Sequence, residues 1–325
     1  MRFIIYGAGG IGGGIGGSLH RNGHDVALIA RGTQLEAFQS TGLTLHTPDF
    51  RETFQILSYG HPSEIDFTDD DVVLLTMKSQ HTAAALDDLA AAAGTEIPVF
   101  CAQNGVANER MALRRFTRVY GTVVYMPATY TVPGQVVVHA SPGLGVLDSG
   151  RYPRGIDEVV EEVTAALTAS AFRAEPDSDI MRKKYAKLLT NLGNVLLVAC
   201  GPGSDTSELQ SAVHAEALAC YEAAGIESEP IEAMAAMRAG VIERSAIEGV
   251  PRQGSSSWQS ILRGTGNVEA DFLNGEIALL GAEHGVPAPV NRVVQRLANA
   301  AARGKHKPGS LTPEQVLALA AEGGP

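Results

Sequence analysis

The sequence is poor in cysteine, in tryptophan and in positive charge. Three of its 325 residues are cysteines, and their odd number and wide spacing exclude a disulfide framework and a CxxC metal knuckle. Its 25 Lys and Arg residues against 36 Asp and Glu residues give a net charge of −11. Because such a surface repels phosphate backbones and anionic lipid, we expect neither nucleic acid nor a membrane as a partner.

Long apolar runs are also lacking. No stretch reaches 18 consecutive apolar residues, which excludes a helical membrane span. The chain opens on the short apolar segment 1–6, without the longer apolar core of a signal peptide. We therefore expect a cytoplasmic protein that holds no metal, and a length that corresponds to about two domains.

The first half of the chain alternates short β-branched runs with helical patterns. Helices are predicted at about 14–21, 82–93 and 107–115, and residues 42–58 resemble a two-stranded excursion. This alternation is typical of an α/β domain with a doubly wound, Rossmann-type parallel sheet. The predicted strands are Arg2–Tyr6, Val26–Ile29, Val72–Thr76, Pro98–Cys101, Val119–Tyr125, Gln135–His139 and Leu144–Leu147.

The second half has a different texture. From about residue 177 the chain consists of long segments rich in Ala, Leu and Glu at helical period. Near the end, Thr312-Pro-Glu-Gln315 has the pattern of a helix-capping box. We predict a Rossmann domain over residues 1–175 and an all-helical domain over residues 176–325.

A glycine-rich motif follows the first predicted strand. Gly7 permits a sharp turn from strand to helix, Gly9 lets the backbone approach a pyrophosphate, and Gly12 lets helix and strand pack closely. A glycine loop without a ligand is the alternative, but the order of strand, glycines, helix and second strand favours a dinucleotide site. Its predicted cofactor-binding residues are Gly7, Ala8, Gly9, Gly10, Ile11 and Gly12.

The end of the second strand indicates which dinucleotide binds. NAD-binding proteins usually carry a carboxylate at this position, whereas here Arg31 follows the strand. A guanidinium binds a 2′-phosphate through paired hydrogen bonds, so NADP(H) is favoured. The alternative is a surface arginine paired with a nearby carboxylate.

Polar residues follow two further strands, at the edge where this fold binds its ligands. Lys78 comes after strand 72–76, and Asn104 comes after strand 98–101. Both would flank the nicotinamide half of the cofactor. Alternatively, Lys78 is a solvated loop lysine and Asn104 is a turn former before Gly105.

A polar stripe is predicted on a helix that begins near residue 180. Lys183, Lys187, Asn191 and Asn194 recur at a spacing that places them on one face. A partly buried lysine is a candidate proton donor, and an asparagine within a helix usually has a specific role. A solvated basic face, with an asparagine bridging two helices, is the alternative.

Further polar residues lie later in the helical half of the chain. A cluster spans residues 255–259, and Glu269 opens a helix after a glycine-rich loop. A carboxylate at this position would also complement the dipole at the start of the helix, which is the purely structural interpretation.

Taken in order, these motifs resemble the ketopantoate reductase (2-dehydropantoate 2-reductase) family. The resemblance implies NADPH-dependent reduction of a 2-oxo acid to a 2-hydroxy acid and a place in pantothenate biosynthesis. It implies that Lys187 is the catalytic lysine, and that Asn104 lies near both nicotinamide and substrate. It further implies that Asn191 and Ser257 contact the substrate, and that Glu269 lies close to the reactive end of the cofactor and belongs to the catalytic set.

Three positions depart from the family pattern. Trp258 stands where methionine is usual, and Ile261 stands where an acidic residue is often found. The family commonly has a second asparagine four residues after the first, where this chain has Val195. Asn194 is adjacent in sequence but about 100° away around the helix. We therefore predict that ketopantoate is a poorer substrate than a more apolar 2-oxo acid, unless Asn194 or a residue from 255–259 takes the missing role.

Two other functions remain open at this point. One is another NADP-linked dehydrogenase, of the β-hydroxyacid or opine type, and the other is a non-catalytic NADP(H) sensor. The sequence does not determine which 2-oxo acid is bound or which oligomer forms, and a homodimer is one candidate assembly.

Overall fold

A computed structural model describes residues 1–130, 132–243, 247, 256–262, 264 and 266–323. Over these residues the chain forms two compact units, the first from Met1–Lys184 with Pro230–Pro251 and the second from Tyr185–Glu229 with Arg252–Pro325. The predicted division into an NADP-binding domain 1–175 and a helical domain 176–325 stays a prediction.

The strands of the described residues all belong to the first unit. They are β1 (Arg2–Tyr6), β2 (Asp25–Ile29), β3 (Leu43–His46), β4 (Arg51–Phe54), β5 (Leu57–Tyr59), β6 (Asp71–Leu75), β7 (Val99–Cys101), β8 (Val119–Thr122), β9 (Ala128–Thr129), β10 (Gln135–Val138), β11 (Ser141–Pro142), β12 (Gly145–Val146), β13 (Ser149–Arg151), β14 (Phe172–Arg173) and β15 (Ile242–Glu243).

The helices are distributed over both units. They are α1 (Gly10–Arg21), α2 (Thr33–Ser40), α3 (Thr82–Ala93), α4 (Asn108–Leu113), α5 (Glu158–Ala169), α6 (Ile180–Cys200), α7 (Ser207–Ala224), α8 (Ile231–Arg238), α9 (Ser256–Leu262), α10 (Asn274–His284), α11 (Pro289–Ala302) and α12 (Pro313–Ala321). Short 3₁₀ helices span Pro62–Glu64, Ser79–His81 and Glu269–Phe272.

A seven-stranded sheet forms the centre of the first unit. Its strand order is β13-β8-β7-β6-β1-β2-β5, and every pairing is parallel except that of β13 with β8. After β1 the chain moves outward to β2, and β6 later returns to the other side of β1. The carboxyl ends of β1 and β6 therefore form a topological switch point, where open α/β sheets bind ligands.

Strand β1 shows why this sheet is buried on both faces. Phe3 and Ile5 belong to the core cluster that includes Ile15 and Leu19 of α1, whereas Ile4 faces the opposite cluster with α3. Successive side chains of a strand point to opposite faces, so a strand covered by helices on both sides has to be apolar throughout. This arrangement confirms the predicted doubly wound α/β fold.

A second sheet of order β4-β3-β10-β9 covers α1 within the first unit. The antiparallel pair β3–β4 confirms the predicted two-stranded excursion at 42–58. Strand β10 pairs with β3 and β9, and thus lies outside the central sheet. Helices α2 and α5 had no counterpart among the helices predicted from the sequence.

The second unit is helical over its described residues. It contains the helical stretch 185–200 together with α7 and α9–α12. Glu216 on α7 accepts hydrogen bonds from the backbone amides of Val290 and Asn291, at 2.8 and 2.9 Å, and so caps the start of α11. The predicted capping box at Thr312 is present, with Gln315 as its reciprocal partner. The helical C-terminal region agrees with the fold predicted.

Candidate active site

The glycine motif lies at the switch point of the central sheet. Strand β1 ends at Tyr6, and Gly7 turns the chain with φ +95°. A Cβ atom at Gly7 would lie 2.6 Å from the backbone nitrogen of Met77, and one at Gly12 would lie 2.9 Å from Cγ2 of Ile5. Only glycine fits at both positions, which confirms the close strand–helix packing predicted for this motif.

The backbone amides around the motif have two different roles. Those of Gly7 and Ala8 both donate to the carbonyl oxygen of Ile29, at 3.0 Å, and thereby attach the loop to the end of β2. Helix α1 begins at Gly10, and the amides of a first helical turn have no acceptor within their own helix. Unpaired amides and the helix dipole at the start of a helix both favour a negatively charged group.

Cations gather beside this loop in an otherwise acidic protein. Arg31 follows β2, and burial together with the nearby cations of Arg31 and Lys78 lowers the pKa of His81. The side chain of Arg31 is 63% exposed and lies 3.6 Å from a carboxylate oxygen of Asp88, which also lies 3.4 Å from His61. Such an exposed ion pair is weak, so the guanidinium can exchange this partner for an anionic ligand.

The two polar loops that follow β6 and β7 lie side by side. The strands pair in parallel with Leu75 opposite Cys101, so Lys78 and Asn104 emerge at the same sheet edge. The hydroxyl of Ser79 donates to the carbonyl oxygen of Asn104, at 3.3 Å. The structure thus brings these two predicted residues to one region of the first unit.

Buried side chains that sequence reasoning missed hold these loops together. Gln103 donates through Nε2 to the carbonyl of Met77 and to the hydroxyl of Thr82, both at 2.8 Å. Asn108 donates through Nδ2 to the carbonyl of Asn104, at 3.1 Å, and its Oδ1 accepts from Thr82 at 2.8 Å. An available signal was the density of amide side chains in the segment 103–108.

Three of the four residues of the predicted polar stripe lie together on α6. In the second unit, Lys187 donates through Nζ to Oδ1 of Asn191, at 3.0 Å, and Asn194 donates through Nδ2 to the same oxygen, at 3.3 Å. Asn191 is 1% exposed. The structure therefore groups one amine and two amides on one helix face, and Asn194 lies beside Asn191 as their spacing of three residues predicts.

Lys183, the other lysine of the stripe and the next candidate proton donor, forms ion pairs with two carboxylates. In the first unit its Nζ lies 2.8 Å from both Asp148 and Asp177. Burial lowers the pKa of Lys183, but these carboxylates outweigh that effect and hold the pKa above its usual value. A lysine so strongly stabilised as the cation is a poor proton donor near neutral pH.

The remaining predicted site residues lie on other elements of the second unit. Ser257 on α9 is buried, and so is Glu269, the first residue of its 3₁₀ helix. Val195, which lies on α6 itself, is fully buried. Ser255, part of the predicted cluster at 255–259, lies outside the described residues.

Comparison with known proteins identifies the family. The sequence profile of the family described as ketopantoate reductase PanE/ApbA matches residues 3–152, and the profile of its C-terminal region matches residues 179–302. The chain belongs to this family.

Individual members of the ketopantoate reductase family resemble this chain over almost their whole length. A 2-dehydropantoate 2-reductase from Pyrococcus horikoshii is 30% identical over 92% of this chain and 97% of its own. A PanE/ApbA family ketopantoate reductase structure from Ralstonia eutropha has a TM-score of 0.79 and 29% identity, over 94% of this chain and 99% of its own.

A solved structure of a protein with another name has a similar fold. The ternary structure of D-mandelate dehydrogenase with NADH and anilino(oxo)acetate has a TM-score of 0.80 and 21% identity, over 94% of this chain and 99% of its own. At that identity the likeness concerns the fold alone.

Two features are absent from the described residues of this ketopantoate reductase family member. Within that part of the chain, no helix is both long enough and apolar enough to cross a membrane. The same residues contain no group of three or more His, Cys, Asp and Glu side chains that could hold a metal ion.

Proposed function

We propose that the protein reduces a 2-oxo acid to the corresponding 2-hydroxy acid with NADPH, and that Lys187 is the general acid. The observation that carries this proposal is the 3.0 Å hydrogen bond from Lys187 to the buried Asn191. It provides an oriented ammonium group beside an amide, in a member of the ketopantoate reductase family.

The first unit fits a nicotinamide dinucleotide. Gly7 and Gly12 allow the start of α1 to pack closely against the ends of β1 and β6, and the first-turn amides of α1 lie at that loop. The amides of Gly10, Ile11 and Gly12 would hold the pyrophosphate, with Gly9 allowing its approach. Arg31 favours NADPH over NADH, because a guanidinium binds the additional 2′-phosphate through charge-assisted hydrogen bonds, and Lys78 would flank the nicotinamide half.

Lys187 would act where negative charge develops. When bound, NADPH supplies the hydride that adds to the carbonyl carbon. The Lys187 ammonium stabilises the charge that forms on the carbonyl oxygen, and donates the proton that completes the hydroxyl group. General-acid catalysis of this kind typically contributes about 10²–10⁴-fold to the rate.

The other residues would orient the reactants. Asn191 and Ser257 donate hydrogen bonds to the 2-oxo acid, and Asn104 lies near both the nicotinamide and the substrate. Glu269 completes the catalytic set close to the reactive end of the cofactor. A cytoplasmic location and a homodimer stay predictions.

The test is a steady-state assay of NADPH oxidation against a panel of 2-oxo acids that includes ketopantoate. We expect turnover of at least one of them, and slower turnover with NADH. Tight NADPH binding without turnover of any 2-oxo acid would instead favour a sensor.

A further inference from the structure

Lys184 is buried in the first unit, in the first turns of α6. The residue is 3% exposed, although it stands in a run of basic residues that predicts a solvated face. Its Nζ donates to the carbonyl oxygens of Cys101, Gln103 and Thr122, at 3.1, 3.0 and 3.2 Å. One ammonium group thus ties together the carboxyl ends of β7 and β8.

The charge of Lys184 is balanced by Glu109 on α4. The two side chains approach to 2.5 Å, and Glu109 is fully buried. Burial raises the pKa of Glu109, and the Lys184 ammonium opposes that rise. Gly121 of β8 leaves room for the pair, since a Cβ atom there would lie 3.3 Å from Cδ of Lys184 and 3.5 Å from Oε1 of Glu109.

Lys184 and Asn108, the residue before Glu109, both bind the turn that carries Asn104. Lys184 binds the carbonyl of Gln103, immediately before Asn104. Asn108 precedes Glu109 on α4 and donates to the carbonyl of Asn104 itself, at 3.1 Å. The backbone of the turn is therefore held at two successive carbonyls, each by a buried side chain.

Stability alone does not account for such a pair. Two apolar side chains of similar volume are often as stabilising as a buried ion pair, because they avoid the cost of removing charges from water. An apolar pair cannot bind the three carbonyls, however, and so cannot determine where the turn lies. What the ion pair adds is orientation of the backbone.

We propose that Lys184, held by Glu109, is a positioning residue that fixes the turn of Asn104 for catalysis. The inference rests on the proposed function, in which Asn104 lies beside nicotinamide and substrate. Lys184 itself contacts neither reactant in this scheme, and acts through the backbone of residues 101–104.

The test separates folding from positioning by removing the pair in two steps. Lys184→Met alone leaves the Glu109 carboxylate buried and unpaired, so we expect the variant to unfold at lower denaturant concentration than the wild type. Adding Glu109→Leu should restore the midpoint without restoring the carbonyl contacts. In the double variant we expect kcat to fall at least about tenfold, with KM for NADPH nearly unchanged.

Hydrogen exchange gives a readout that is independent of activity. The amides of residues 102–107 should exchange at least about tenfold faster in the double variant than in the wild type. The matched control is Arg2→Met with Asp71→Leu, a buried carboxylate and its partner at the amino edge of the same sheet, paired at 2.7 Å. That variant should retain the wild-type kcat and the wild-type exchange of residues 102–107.

Equal kcat or equal exchange in the Lys184→Met/Glu109→Leu protein and the wild type would overturn the inference. A wild type that reduces no 2-oxo acid would overturn the proposed function instead. The exchange measurement would then still decide whether the pair orders the turn.

Discussion

The two units use polar side chains in different ways. In the first unit, buried polar groups at the carboxyl edge of the sheet mostly bind backbone carbonyls, as Lys184, Gln103 and Asn108 do. In the second unit, the polar groups on α6 bind one another, with Lys187 and Asn194 both donating to Asn191. The first arrangement fixes the backbone of the loops. In the second, a side chain can be replaced without moving the backbone of the helix.

This difference suggests how the proposed reaction is divided. A cofactor is the same in every turnover, so it can be bound by loops whose backbone is fixed in one position. Substrate choice and proton transfer depend on individual side chains. Changes beside the glycine loop, such as at Arg31, should therefore affect mainly KM for NADPH. Changes at the turn of Asn104 and on the α6 stripe should affect kcat, and those on the stripe should also affect substrate preference.

The largest effect is expected from Lys187→Ala. Because its proposed role is confined to the transition state, kcat should fall by at least about 10²-fold while NADPH affinity stays nearly unchanged. Single-turnover kinetics with a titration of NADPH would measure both quantities. Lys305→Ala, an exposed lysine of the same unit, is the matched control. If the Lys187 variant retained more than a tenth of wild-type kcat, under conditions where chemistry limits turnover, the assignment would be wrong.

Arg31→Ala should produce the next largest effect, and on the cofactor alone. Loss of a charge-assisted pair should raise KM for NADPH about tenfold or more and leave the use of NADH little changed. Arg21→Ala is the matched control, since Arg21 also forms an exposed ion pair, with Glu52 at 3.0 Å. Equal weakening of both cofactors would mean that Arg31 is structural.

Val195 and Asn194 test substrate choice. With valine at position 195, we expect a lower kcat/KM for ketopantoate than for its deoxy analogue, because an unpaired substrate hydroxyl typically costs about 1–3 kcal/mol. Val195→Asn should narrow that difference. A strong wild-type preference for ketopantoate would contradict this expectation, and Asn194→Ala would then show whether Asn194 is the second donor.

The smallest effect concerns stability and lies away from the α6 stripe. Thr312→Ala removes the cap of α12 and should lower the free energy of unfolding by about 1 kcal/mol. Denaturant titration measures that change, and kcat and both KM values should stay at their wild-type levels. A loss of kcat at unchanged stability would show that the cap of α12 contributes to catalysis as well as to folding.

Local sequence determined the elements that depend on neighbouring residues. The glycine motif predicted its turn because Gly7 and Gly12 stand at positions that exclude a Cβ atom. The spacing of Lys187, Asn191 and Asn194 predicted a shared helix face because helical geometry depends only on sequence separation. The pattern at Thr312 predicted its capping box for the same reason.

Tertiary structure alone decided which elements meet. The β-branched run in β10 predicted a strand but not its partner, since strand propensity carries no information on pairing, and β10 joined β3 instead of the central sheet. Lys183 and Lys184 look alike in sequence, yet one pairs with Asp148 and the other with Glu109. These carboxylates lie 35 and 75 residues earlier in the chain, and only folding brings them within reach of the two ammonium groups.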